Sequence, residues 1–138
     1  MPAGYSKRSL VDKLGIKANS RASIVHAPDG YSTTLGPLPD GVTPLAKPTS
    51  DLDFIQAFFM EARNLDREFP SLKKAIKQTG VLWISWPKKA AKLHTDLTED
   101  IVRLLGLKHG LVDIKVCAVD EVWSGLKFMY RLKDRDKK

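Results

Sequence analysis

The run Val81-Leu82-Trp83-Ile84-Ser85-Trp86, closed by Pro87-Lys88-Lys89, constrains the fold more than any other segment of the chain. Six mostly apolar residues are too few for a helix to bury by itself and far short of the ~20 needed to cross a bilayer, so the run reads as a buried strand. A strand that is apolar through its length and ends in proline and lysines belongs inside an α/β sheet, with its carboxyl end at the surface. That edge is where open α/β sheets bind ligands.

The flanking segments supply the layers. Ser9 caps a short helix over Leu10–Leu14 that Gly15 stops, and Arg21 to Ala27, with Ile24-Val25, reads as the first strand. One or two helical turns are expected in Tyr31 to Leu38. Residues 36–51, rich in Gly, Pro, Thr and Asp, leave room only for a short edge strand at Val42 to Ala46. Leu52 to Phe59 is a strand. Leu65, Phe69, Leu72 and Ile76 then fall on one helical face of Glu61 to Gln78, where Pro70 predicts a kink or a break. Asp96 with Glu99 three residues on predicts a capped helix start, with Leu97, Ile101, Leu104 and Leu105 buried and Gly110 as its end. Leu111 to Val119 alternates, with Val112, Ile114, Val116 and Ala118 on one face and Asp113 and Lys115 on the other. Leu126 to Leu132 alternates in turn after an Asp120 to Gly125 connection, which predicts a C-terminal antiparallel hairpin.

Strands separated by helices imply a mostly parallel sheet, so the expected architecture is a single three-layer Rossmann-like α/β domain over residues 1–138, flexible at 1–8 and 134–138. A chain of 138 residues is long enough for one real core. The absence of a long apolar run or an apolar signal core, together with a lone Cys117, predicts a cytoplasmic protein with no membrane contact. The net charge of +7 raises nucleic-acid binding, but the basic excess is spread along the chain and concentrates only in the Arg131–Lys138 tail, among Asp134 and Asp136. Nucleic acid is therefore the least favoured partner. His26, His94, His109 and Cys117 show no close metal-ligand spacing, so no metal site is expected.

Two groups carry the candidate chemistry. Ser85, Trp86 and Lys88, with Lys89, sit at the mouth of the central strand, where ammonium groups attract a phosphate or carboxylate and an indole offers a stacking face. The alternative is a core-filling Trp83, a terminating proline and a solvated loop. Asp120, Trp123 and Ser124 stand at the hairpin connection and either face the same crevice or simply close the turn. Asp96 and Glu99 are expected to cap a helix, with Lys92 and His94 on the loop before it.

With Lys13-Leu14-Gly15-Ile16-Lys17, the Gly80 to Lys88 segment and the Cys117 to Phe128 segment in view, the chain resembles a small bacterial family, domain of unknown function 3052. That resemblance implies a fold and no catalytic residues. More distantly, the element order resembles the later half of class I methyltransferases that use S-adenosylmethionine, which implies a strand order 2-1-3-4-6-5 when the Val42 edge is counted as strand 2. Those enzymes carry a glycine-rich turn after the first strand, whereas this chain has His26-Ala27-Pro28-Asp29-Gly30-Tyr31. Asp40 and Asp51 are offered for the acidic ribose partner, but neither clearly ends a strand. The sequence therefore favours a non-catalytic binding or regulatory module lacking a cofactor loop, with a small anionic ligand or a protein as partner and no cofactor assigned. The alternative is a small-molecule transferase or a nucleotide- or S-adenosylmethionine-binding protein that uses the crevice beyond Trp86.

Overall fold

The computed structural model describes residues 9–135; the predicted flexible stretch 1–8 and residues 136–138 lie outside them. Five strands form one mixed sheet: β1 (Ala22–Val25), β2 (Leu52–Phe58), β3 (Ile76–Pro87), β4 (Leu111–Ala118) and β5 (Trp123–Tyr130). Among the described residues the α-helices are α1 (Leu10–Leu14), α2 (Tyr31–Leu35), α3 (Ala62–Ala75) and α4 (Glu99–Lys108). The order across the sheet is β1-β2-β3-β5-β4. β1, β2 and β3 run parallel, and β5 lies antiparallel between β3 and β4.

Alternation along β2 and β3 builds the two cores. Ile55, Ala57, Leu82, Ile84 and Trp86 face α3 and α4, where they meet Leu65, Phe69, Leu72 and Val102. Phe54, Phe58 and Trp83 face the other way, onto Val11, Leu14, Tyr31 and Leu35 of α1 and α2. With apolar side chains needed on both faces, β2 and the core of β3 read as continuous hydrophobic runs.

Several predicted boundaries move. The edge strand at Val42 to Ala46 shrinks to a single parallel bridge from Leu45 to Ser23, held by Ile24 N–H to Leu45 O and Leu45 N–H to Ala22 O, both 2.9 Å. Pro70 sits inside an unbroken α3. Ile76, read as the last apolar residue of that helix, already belongs to β3 and pairs with Leu52. Gly80 follows where β3 crosses closely over β2, since a Cβ there would lie 2.8 Å from the Leu52 carbonyl oxygen.

The buried stripe of α4 is rotated from the expected one. Val102 and Gly106 are its buried residues, whereas Leu104 is 65% exposed. Gly106 rests against the Phe128 ring, which any side chain would displace. A β-bulge between Asp113 and Lys115 also breaks the predicted alternation of β4. Asp113 reaches Arg103 of α4, Lys115 turns to the α1 face, and Ile114 and Val116 are half exposed on this edge strand. Leu132, placed by alternation in the last strand, instead opens a single 3-10 turn over Leu132–Asp134 and is exposed.

Candidate ligand site

The carboxyl ends of β1, β2 and β3 and the start of β5 share one edge of the sheet. From β1 the chain passes through α2 to the outer bridge at Leu45, and from β2 it passes through α3 to β3, so the connections diverge between β1 and β2. This divergence is the topological switch of an open sheet, one strand away from the end of β3 that the sequence singled out.

At the switch stands His26, which the sequence reading placed at the turn and weighed only as a metal ligand. It directly follows β1 with φ +57°, a left-handed backbone uncommon outside glycine. Its Nε2 lies 2.9 Å from Glu68 Oε1 of α3, and its ring meets Phe59 edge-on at 5.5 Å. The backbone thus takes the conformation a glycine would supply, but it carries an imidazole, and Pro28 follows two residues later. A glycine cradle that lets a cofactor approach the backbone is not built here, so the residues after β1 do not fit S-adenosylmethionine in its usual place. Nor does an acidic side chain follow the Leu45 bridge, where Ala46-Lys47-Pro48 come next.

The six residues proposed from sequence separate onto the two faces of the sheet. Trp86 and Ser124 are cross-strand partners on the α3/α4 face. Together with Lys88 they line an open cavity of about 410 Å³, completed by Pro87, Lys89, Leu93 and, at the entry to α4, Thr95, Leu97, Thr98 and Glu99. Trp86 forms its floor, with only 5% of its surface exposed. Among the described residues, Lys88, Lys89 and Ser124 direct no side-chain hydrogen bond or ion pair at the protein. The Glu99 carboxylate is held by Arg103 at 2.6 Å, and the Thr98 hydroxyl accepts from Ile101 N–H at 3.2 Å.

Ser85, Asp120 and Trp123 lie outside this cavity. Ser85 is fully buried and accepts from Gln56 Nε2 at 3.1 Å, while the Gln56 Oε1 accepts from the Tyr31 hydroxyl at 2.6 Å. This relay closes the α1/α2 face beneath the strand ends. Burial drives the Tyr31 hydroxyl well above the ordinary tyrosine range; the Gln56 hydrogen bond opposes the shift, and the charge of Asp120 adds to it. Asp120 Oδ1 accepts from the amides of Val122 and Trp123, both at 2.8 Å, so it shapes the β4–β5 connection. Trp123 opens β5 and packs its ring edge-on against Phe58 at 5.1 Å. Gln56 was the missed member of this group. Its signal was a lone amide inside Phe54-Ile55-Gln56-Ala57-Phe58, because a buried polar side chain demands a partner.

The predicted cap also changes hands. Thr98, not Asp96, caps α4, and Asp96 Oδ1 accepts from Ala62 N–H at 2.7 Å at the start of α3. Thr95 donates to the Met60 carbonyl at 2.6 Å. These two residues tie the cavity's loop to the end of β2.

No protein-family model matches the chain, and no curated protein matches it. Solved structures do. Fibrillarin, a pre-rRNA processing protein of Methanococcus jannaschii, matches with a TM-score of 0.58 at 11% identity, over 83% of this chain and 68% of that one. A LepI variant in complex with SAH and a substrate analogue matches with a TM-score of 0.55 at 11% identity, over 94% of this chain and 50% of that one. A pericyclic reaction enzyme gives a TM-score of 0.51 with the same identity and coverage. The chain therefore spans about half the length of the last two. What is shared at this identity is the fold alone, a Rossmann-like α/β domain. Among the described residues no helix is long and apolar enough to cross a membrane.

Proposed function

We propose that the chain is a small-molecule-binding protein whose ligand, a nucleotide or S-adenosylmethionine-like compound, enters the cavity at the carboxyl end of β3. The observation that carries this reading is the cavity itself: about 410 Å³ against the indole of Trp86, with the Lys88, Lys89 and Ser124 side chains unengaged among the described residues. That volume falls in the size class of small-molecule sites, and an apolar floor with a few polar groups is their usual lining. The likeness to a fold seen elsewhere with SAH supports the ligand class. Lys88 and Lys89 would hold an anionic group, Trp86 would pack against a flat or apolar part, and Ser124 would orient a polar edge. The motif resemblance to domain of unknown function 3052 and a cytoplasmic setting belong to the same reading.

A thermal-shift screen followed by calorimetry over nucleotides, S-adenosylmethionine and SAH tests it. Binding that weakens at least tenfold in Lys88→Ala, with the fold unchanged, is expected. Equal binding by both proteins removes the proposal, as does a screen with no hit.

A second reading, a regulatory module without catalysis, draws on the turn after β1. His26 and Pro28 occupy the place of the glycine cradle, and Tyr31 is spent on a buried hydrogen bond. Ligand binding without turnover of any group donor is its expected signature, and release of a transferred group in a product assay excludes it.

A further inference from the structure

At the opposite end of β3, on the α1 face, lies a cleft of about 510 Å³ between the end of α1 and the sheet. Lys13, Lys17, Lys115 and Lys127 line it with Gly15, Ile16, Val81 and a single carboxylate, Asp12. We propose that this cleft binds a small molecule carrying at least two phosphoryl groups.

The arrangement is costly for the protein alone. Lys115 and Lys127 are directly opposite each other on β4 and β5, where like charges repel. The bulge after Asp113 puts them there, because without it Ile114 would face Lys127. Lys127 is only partly exposed, in register with the buried Trp83 of β3. Burial and the charges of Lys115 and Lys17 push its ammonium below the ordinary lysine range.

Several cations of the chain are paired on its surface. Lys77 meets Asp53 at 3.0 Å, Lys108 meets Asp66 at 3.0 Å, and Arg103 engages Glu99, Asp100 and Asp113. Among the described residues the four cleft lysines have no ion pair or side-chain hydrogen bond. The walls are also firm: Trp83 Nε1 donates to the Leu14 carbonyl at 2.8 Å, and Gly15 turns the chain at φ +84°. The Lys13 to Lys17 motif is thus a fixed rim presenting two of the four cations.

Four ammonium groups against one carboxylate call for more than one negative charge. Two phosphoryl groups bring about three to four. Lysines bind phosphate as point charges, and the cleft is of small-molecule size.

Calorimetry with inorganic pyrophosphate at low salt is the direct test. Binding of one ion per chain is expected, weakening as salt is raised and at least tenfold in each of Lys115→Gln and Lys127→Gln, while Lys74→Gln on α3 changes nothing. Lys115 is exposed on an edge strand, so its variant decides the matter if Lys127→Gln does not fold. No binding, or binding indifferent to both substitutions, overturns the proposal. So does loss in Lys88→Gln with retention in Lys127→Gln, which moves the anion to the other end of β3. Affinity for single-stranded oligonucleotides that exceeds that for pyrophosphate and grows with length overturns it in favour of a nucleic-acid surface.

Discussion

The two tryptophans of β3 lie three residues apart and face opposite layers, and they show how the carboxyl end of one strand builds a sealed side and an open one. Trp83 is fully buried between β3 and α1, its indole N–H bonded to the Leu14 carbonyl. Trp86 is nearly as buried but ends at the floor of an open cavity. On the sealed side the Tyr31, Gln56, Ser85 and Asp120 side chains all have protein partners, in the Tyr31–Gln56–Ser85 relay and the Asp120 turn. On the open face Lys88 and Ser124 have none among the described residues. Polar groups satisfied within the protein hold a fold together, and unengaged ones beside a cavity are available to a ligand.

The sharpest way to break that contrast is to truncate each indole. Trp83→Ala is expected to cost ~3–5 kcal/mol of stability, the range for burying a large void, with the Leu14 carbonyl left unsatisfied as well. Trp86→Ala is expected to cost clearly less, because the vacated volume joins a cavity already open to water. Denaturant unfolding of both variants checks this, and equal losses mean that the cavity is closed in solution.

Next in size is Gln56→Leu. It orphans the hydroxyls of Tyr31 and Ser85 together, at about 1–3 kcal/mol for each buried group. Combining it with Tyr31→Phe and Ser85→Ala recovers part of the loss, since no polar group then remains unpaired. A triple variant no more stable than Gln56→Leu shows that the relay contributes packing alone.

Much of the fold was legible because hydrophobic spacing reports it directly. Ser9 and Gly15 mark α1 correctly, with the Ser9 hydroxyl accepting from Asp12 N–H at 3.1 Å. The five strands stand near their expected places. The errors arise where tertiary contacts overrule local signals. Asp96 followed by Glu99 fits a capping box, yet Asp96 serves α3, because the loop folds back over the end of β2. Leu104 fits the apolar stripe of α4, yet it faces solvent, since Gly106 must turn toward Phe128 for the helix to approach the sheet. The geometry of the candidate site was half legible. The strand end was found, but Ser85 and Trp86, adjacent in sequence, were pooled although neighbouring strand residues face opposite sides. The β4 bulge that sets Lys115 against Lys127 leaves no mark in the sequence.

Titration sharpens the comparison with a smaller effect. The Tyr31 hydroxyl is held above its ordinary value of 10.0, chiefly by burial. A group whose folded value is raised stabilises the fold fully below the unfolded value and loses that contribution as pH climbs through and beyond it. Stability is therefore flat with respect to Tyr31 up to about pH 10 and falls above it, in a window where Tyr31→Phe falls less steeply. Parallel slopes for the two proteins in alkaline unfolding would show that the hydroxyl is exposed.

The two serines give the smallest contrast. Ser85→Ala removes the acceptor of a buried amide and is expected to cost about 1–3 kcal/mol. Ser124→Ala, with no protein partner among the described residues, is expected to stay within ~0.5 kcal/mol of the parent. The difference matters because both side chains sit at the same edge of the sheet, and only their facing distinguishes them. If Ser124→Ala leaves stability untouched but weakens a ligand found in the screen, the open face is the binding face. If instead Ser124→Ala destabilises as Ser85→Ala does, its hydroxyl is engaged by the protein, and the cavity above Trp86 loses one of its three available polar groups.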